Sequence, residues 1–332
     1  MKFCSSCVLP DTFPGIEFDA NGVCNYCKNS LLPDHEKKNE YLKKFEELAA
    51  SVRGKNAFDV IMAYSGGKDS TYTMYSLSKD YGLNVLAFSF DNGFISEKAL
   101  ENISHMTDLC GATSMIVRPP FGKMKEIFKV AATQDLYNTK TLDRASSICT
   151  TCIGFVKSLV LKTALQMNIP LAAYGWSPGQ APITSSIMQT SPRLQRFSNS
   201  TVRDPILRNS PVKLSSYFLT EEEMNVPVER WPINVHPLAF MDYSEEAVLR
   251  KIQSLGWVKP SDTDPNSSNC TLNALANYLH RERFHFHPYA WEIAGIVRAG
   301  GLRREEGIEK TTEEEVMSMV KYAADRLNIK LP

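Results

Sequence analysis

The eight cysteines of this 332-residue chain fall at 4, 7, 24, 27, 110, 149, 152 and 270, and seven of them stand in groupings that suit metal better than disulfides. Cys4-x-x-Cys7 and Cys24-x-x-Cys27 are sixteen residues apart, the spacing of a tetrahedral Cys4 zinc ribbon with two knuckles. Residues 1–30 are rich in turn formers and carry too few large apolar side chains to fold alone, so a bound Zn2+ would supply what packing cannot. A redox role for these four is the plainer alternative. Cys149-Thr-Thr-Cys152 and the distant Cys270 form a second set. Three thiolates leave a fourth position open, and a 4Fe-4S cluster held that way keeps one iron free for a ligand such as hydrosulfide. Two blander readings compete: a persulfide or redox pair with Cys270 merely in the core, and a second zinc using His280. Cys110, at a Cys-Gly helix end, reads as core.

The segment Ser65-Gly66-Gly67-Lys68-Asp69-Ser70 stands where an apolar strand gives way to a helix. Glycines there let backbone N–H groups approach phosphate oxygens, and the helix N-terminus adds a favourable dipole. Lys68 supplies full positive charge, Ser65 and Ser70 supply hydroxyls, and Asp69 can hold Mg2+ or orient the lysine. The pattern is not Walker A, because the lysine is followed by aspartate and the spacing differs. His280, His285 and His287 read as structural or surface groups. Arg298, Arg303 and Arg304 with Glu305 and Glu306 read as a solvated charge face.

These residues need a scaffold. Residues 57–64 (AFDVIMAY), 84–90, 113–117 and 170–174 read as strands, and 234–240 as a fifth. Helices are expected over 34–51, from the glycine turn through Leu77, from a Ser96 cap to Leu109, and over 125–138 and 153–167. The alternation predicts an α/β, doubly wound parallel sheet with ligands at the carboxyl ends of its strands. The expected division is a zinc ribbon (1–33), the nucleotide domain (34–240) and a mainly helical C-terminal region (241–332). Helices are expected there over 244–255, 271–284 and 312–327. Residues 177–216 are Ser-, Pro-, Asn- and Gln-rich with Arg193, Arg196, Arg203, Arg208 and Lys213 against Asp204. They read as a long basic loop, either a lid over an anionic ligand or a floppy insertion.

Lys+Arg and Asp+Glu balance at 37 each, so no global positive field gathers nucleic acid. Hydrophobic residues at 43% and charged residues at 22% are ordinary for a globular chain. No segment approaches the uninterrupted apolar run of a membrane span, and no secretory signal opens the chain; the expectation is a cytoplasmic protein without membrane contact.

The hexapeptide at 65–70 resembles in full the Ser-Gly-Gly-x-Asp-Ser loop of the PP-loop ATP pyrophosphatases, the adenine nucleotide alpha hydrolase-like (HUP) superfamily. That resemblance implies an enzyme that attaches AMP to an acceptor oxygen, releases pyrophosphate, and lets a nucleophile displace AMP, with ATP and Mg2+ as cofactors. It implies pyrophosphate binding by Ser65, Gly66, Gly67, Lys68, Asp69 and Ser70, an adenosine edge at Phe90, a ribose or metal role for Asp91, and a fourth-strand loop at Gly175 and Trp176. Turn capping is the plain alternative for Asp91. FCSSCVLPDTFPGIEFDANGVCNYC at the start, and RAGGLRREEGIE from Arg298, resemble the N-acetyl sugar amidotransferases of surface-polysaccharide biosynthesis. There a separate glutaminase subunit delivers ammonia to a nucleotide-linked sugar. The order phosphate loop, Cys-x-x-Cys, single Cys resembles instead the iron-sulfur-dependent tRNA thiolases of the same superfamily.

The combined expectation is a sulfurtransferase that adenylates a carbonyl or amide oxygen and replaces it with sulfur, with Lys68, Asp69, Cys149, Cys152 and Cys270 catalytic. Amide-nitrogen transfer and a nucleotide-binding regulatory module are the alternatives. A small-molecule or nucleotide-sugar acceptor is favoured, tRNA is retained as a second acceptor class, and a sulfur-donor protein or a glutaminase is the expected partner. A homo-oligomer is left open.

Overall fold

The computed structural model describes residues 1–30 and 35–332, so the expected boundary at 33/34 and the helix start at Asp34 lie outside the described residues. Six strands form one sheet: β1 (Val60–Ala63), β2 (Val85–Phe90), β3 (Thr113–Val117), β4 (Leu171–Tyr174), β5 (Ile187–Gln189) and β6 (Ile233–Val235). Their order is β3-β2-β1-β4-β6-β5, parallel except for β5, which runs antiparallel to β6. The chain moves outward one way from β1 to β2 and β3, then returns to the other side of β1 with β4. The carboxyl ends of β1 and β4 therefore flank the switch point where open α/β sheets bind ligands.

Among the described residues, the helices of eight or more residues are α1 (His35–Val52), α2 (Lys68–Tyr75), α3 (Glu97–Cys110), α4 (Phe121–Thr133), α5 (Ser147–Met167), α6 (Glu245–Ser254), α7 (Asn273–Phe284), α8 (Ala290–Arg298), α9 (Arg304–Thr312) and α10 (Met317–Leu327). The period-2 alternation of β1 sorts them into two layers. Val60 and Met62 face a core made with Phe45 of α1, Met74 of α2, Met106 of α3 and Ile252 of α6. Ile61 faces the opposite core, with Phe128 of α4, Phe155 of α5, Leu275 of α7 and Val320 of α10. Both faces are covered, as a doubly wound sheet requires.

Several expectations need correction. The fifth strand is shorter, ending at Val235, because Pro237–Ala239 turn into a 3-10 helix. Residues 177–216 are not a loop: they hold β5 and helical turns over Pro192–Ser198, Asn199–Arg203 and Asp204–Asn209. Ser191 caps the first by accepting from Leu194 N, and Pro192 follows at the one helical position that tolerates it. α5 starts at Ser147 rather than 153, so Cys149 and Cys152 lie inside it. Among the described residues α5 is the one helix long and apolar enough by composition to cross a membrane, although Lys157 and Lys162 interrupt its apolar run. Here it packs on β1, β2 and β4 and against α4 and α7. The C-terminal region has two helices that the sequence reading did not assign, α8 and α9, and the last one starts at Met317 and not at 312.

Candidate active site

The phosphate-type loop leaves β1 at Tyr64 and turns at Gly66, whose φ of +76° suits glycine; a Cβ there would stand 2.7 Å from the Ala99 carbonyl oxygen of α3. Trp257 donates its indole N–H to the Gly66 carbonyl at 2.8 Å, fixing the turn from below. Ser70 Oγ donates to the Gly67 carbonyl (3.0 Å) and lies 3.1 Å from Ser65 Oγ, tying the two ends of the hexapeptide together. Gly67 is the N-cap of α2 and offers no side chain; Lys68 N is taken by Ser268 Oγ, which leaves the amides of Asp69 and Ser70 for a ligand. Gly175, just past β4, packs directly on this helix start, where a Cβ would meet Ser70 Cα at 2.6 Å.

Lys68 Nζ donates to Asp69 Oδ2 at 2.7 Å and to Tyr243 OH at 3.1 Å, while Tyr243 OH donates to Asp69 Oδ1 at 2.9 Å. Desolvation opposes the ammonium, but attraction from Asp69 and, further off, Glu245 outweighs it and raises the Lys68 pKa. Lys68 therefore stays charged. In this arrangement Asp69 orients the lysine, one of the two roles read for it.

The three distant cysteines line the same cavity as the loop. Cys149 and Cys152 occupy one face of the first two turns of α5, three residues apart, behind a Ser146 cap whose hydroxyl accepts from Cys149 N. Cys270 arrives by backbone pairing: Ile95 and Cys270 form an antiparallel bridge, Ser96 N donates to the Asn269 carbonyl, and Thr271 N to the Phe94 carbonyl. Asn92, at the end of β2, donates from Nδ2 to Cys152 Sγ (3.4 Å) and Cys270 Sγ (3.9 Å); its Oδ1 accepts from Phe94 N, which fixes the amide's orientation. Cys149 Sγ donates to Asn273 Oδ1 at 3.6 Å. Burial, with repulsion from Cys270, pushes the Cys149 thiol up to about 12, and burial raises Cys152 and Cys270 in the same direction. Thiols so placed ionise when a cation takes the proton's place.

A cavity of about 430 Å³ joins these groups. Phe90 and Asn92 line it, as do Trp176, Lys157, Arg144, Tyr289 and Glu292. Asp91 does not. Its Oδ1 accepts from Gly93 N at 2.8 Å and its Oδ2 from Arg118 at 2.5 Å, the turn-capping alternative. Asn92, beside it, is the residue that faces the thiols. Glu292 accepts from Ser177 Oγ at 2.8 Å; burial, partly opposed by that hydrogen bond and reinforced by Asp69, raises its carboxyl to about 7. His280 lies outside this cavity with its ring against Phe284 and Phe286, and desolvation lowers it to about 4, so it does not join Cys149, Cys152 and Cys270.

The N-terminal cysteines form a separate, closed centre. Cys4 and Cys27 sulfurs are 3.9 Å apart and Cys7 and Cys24 sulfurs 3.8 Å. A tetrahedron with Zn–S bonds of ~2.3 Å has edges of about 3.8 Å, so the four sulfurs fit one zinc ion. Backbone amides of Ser6, Cys7 and Cys24 donate to Cys4 Sγ. Among the described residues this is the one group of three or more metal-ligating side chains whose atoms all lie within 4.8 Å. Cys149, Cys152 and Cys270 do not form such a group. Arg304 corrects the charge-face reading: its guanidinium donates to the carbonyls of Cys4 (3.0 and 2.6 Å) and Cys7 (3.1 Å), some 300 residues away in sequence.

Sequence reasoning missed Asn92, Tyr243, Ser268, Tyr289 and Glu292. Only Ser268 had a usable signal, its nearness to Cys270; its hydroxyl accepts from Lys68 N at 3.2 Å.

No known family profile matches the chain. An uncharacterized protein of Methanocaldococcus jannaschii is 22% identical over 332 residues, spanning 99% of each chain. Among solved structures, the U34-tRNA thiolase NcsA of Methanococcus maripaludis, determined with its 4Fe-4S cluster, is 16% identical. It superposes with a TM-score of 0.40 over 100% of this chain and 90% of that one. The NMN synthetase of Francisella tularensis is 10% identical, with a TM-score of 0.37 over 89% of this chain and 98% of that one.

Proposed function

We propose that the chain is an ATP-dependent sulfurtransferase: it adenylates a carbonyl or amide oxygen, releases pyrophosphate, and replaces that oxygen with sulfur. The observation that carries this is the shared cavity, with the glycine loop and Lys68 at one end and Cys149, Cys152 and Cys270 at the other. The open amides of α2 and the Lys68 ammonium suit the β- and γ-phosphates of ATP, with Mg2+ bridging them. The acceptor oxygen attacks the α-phosphorus, a new O–P bond forms, and the anhydride to pyrophosphate breaks. Hydrosulfide-level sulfur then adds at the acceptor carbon, and the C–O bond breaks as AMP leaves with the oxygen. Glu292, able to exchange a proton near neutrality, is the cavity group suited to take the proton that the nucleophile loses. Bound to Cys149, Cys152 and Cys270, a 4Fe-4S cluster supplies an iron open to a sulfur ligand. Asn92, which donates to Cys152 and Cys270, would stabilise the negative charge of those two sulfurs when they hold it. The ribbon's four cysteines are read as a structural zinc site.

Purified anaerobically, the protein should contain iron and absorb near 400 nm, form AMP and pyrophosphate with a competent acceptor, and lose iron on Cys152→Ser. A colourless, iron-free preparation that still turns over would overturn the sulfur reading. Nitrogen transfer is the second reading, favoured by one observation: the two segments that resemble the sugar amidotransferases pack together, Arg304 on the Cys4 and Cys7 carbonyls and Gly307 against Val8. Turnover with ammonium and none with sulfide would select it.

A further inference from the structure

Arg144, just ahead of α5, and Lys157, on its third turn, both line the cavity on the side of Cys149 and Cys152. Each lies over an indole ring: the Arg144 guanidinium 5.5 Å from Trp291, the Lys157 ammonium 4.2 Å from Trp176. Neither makes a hydrogen bond or ion pair among the described residues. The other cations of the cavity are engaged: Lys68 with Asp69, Lys310 with Glu245, and Lys259 with the Pro265 carbonyl. Two like charges on one wall repel each other across a partly desolvated space, an arrangement that an anion completes.

We infer that Arg144 and Lys157 form a second anion site, distinct from the phosphate loop, which holds a phosphate group on the acceptor. The inference rests on the adenylation reading and deepens it, by naming the class of acceptor as a phosphorylated small molecule. Placement supports this, since an acceptor anchored there lies beside the three sulfurs and leaves the loop free for ATP. Charge supports the small size. Of the five cations that line the cavity only Arg144 and Lys157 are unengaged among the described residues, which suits one small anionic group better than a polyanionic backbone. A carboxyl-bearing acceptor shares the same attraction, and acetate serves as the probe that distinguishes it.

The test uses the full chain saturated with a non-hydrolysable ATP analogue and titrated with inorganic phosphate, read by calorimetry and by the fluorescence of Trp176 and Trp291. Phosphate should bind to the analogue-filled protein more tightly than acetate. The double variant Arg144→Gln/Lys157→Gln should weaken phosphate at least tenfold while the analogue's affinity stays within twofold. No phosphate binding to the analogue-filled protein, equal binding by the double variant, or acetate binding more tightly would overturn the inference and leave the ATP reading intact. Transfer RNA displacing phosphate where a nucleoside monophosphate does not would overturn the small-acceptor part. Failure of the analogue to bind the wild type would instead sink adenylation. The phosphate site would then be judged in Lys68→Ala protein by loss of phosphate binding on adding the double substitution, and retention would overturn it.

Discussion

Gly175 is where a single methyl group tests whether the loop geometry governs nucleotide binding. An alanine Cβ there would stand 2.6 Å from Ser70 Cα, 2.8 Å from Ser70 N and 3.0 Å from the Asp69 carbonyl carbon, all backbone atoms of the first turn of α2. Ordinary contact begins near 3.4 Å, so β4 and the helix start must separate by about 0.8 Å, and no rotamer change relieves the clash. Overpacking of this kind costs about 1–3 kcal/mol, which in a chain of this length lowers Tm by a few °C. A larger effect is expected on ATP. Displacing one amide from a phosphate oxygen forfeits a charge-assisted hydrogen bond worth about 1.5–3 kcal/mol, so Kd for a non-hydrolysable analogue should rise about tenfold to a hundredfold. Calorimetry of Gly175→Ala against Gly122→Ala, whose Cβ would meet nothing within 4 Å, gives the comparison. If Gly175→Ala binds the analogue as the wild type does, the loop is not held at its working position by contact with β4, and the argument is refuted.

Two further outcomes follow from groups around the cavity. Asn92→Leu removes the N–H donor from Cys152 and Cys270, so iodoacetamide should label Cys152 more slowly in metal-free protein, and a reconstituted cluster should become harder to reduce. A tenfold change in its reduction equilibrium would be about 59 mV for a one-electron couple; unchanged labelling together with an unchanged potential would count against the role. For Glu292 the folded carboxyl titrates near 7 against an ordinary value of 4.5, so between those pH values the folded state holds more protons than the unfolded one. Stability is then lost as pH rises through that window, by at most about 3 kcal/mol and less where solvent enters the cavity. Glu292→Gln should flatten the Tm profile between pH 5 and 8, and parallel profiles would contradict the shift.

Local pattern made the centre of the sheet legible. β1 to β4 fall on the apolar runs, and the hexapeptide at 65–70 stands at the end of β1 where the glycines put it. Convergence of Cys149, Cys152 and Cys270 followed from topology, since two lie on the helix feeding β4. The third needed a partner the sequence does not display, the backbone pairing of 269–271 with 94–96. Polar composition concealed the helical turns at 192–209, although Ser191-Pro192 is a start signal in plain view. α8 was missed although its run AWEIAGIV has a clear helical period, because it is short and lies directly behind the mixed aromatic and charged stretch at 280–289. Arg304 and Glu292 owe their roles to neighbours more than a hundred residues away, which no local window contains.

The four-cysteine segment's place against α8 ties its own order to the shape of the cavity. Phe13, Val8 and Leu9 pack with Ile293 and Ala294 of α8, whose Gly295 approaches Gly179 so closely that a Cβ on either would collide with the other's strand of chain. Gly179 belongs to the turn that presents Trp176 and Ser177, and Glu292 sits one turn earlier on the same helix. Loosening of the N-terminal segment would therefore reach the wall formed by Trp176 and Glu292 before it reaches the glycine turn at Gly66, which Trp257 and α3 hold from the other side.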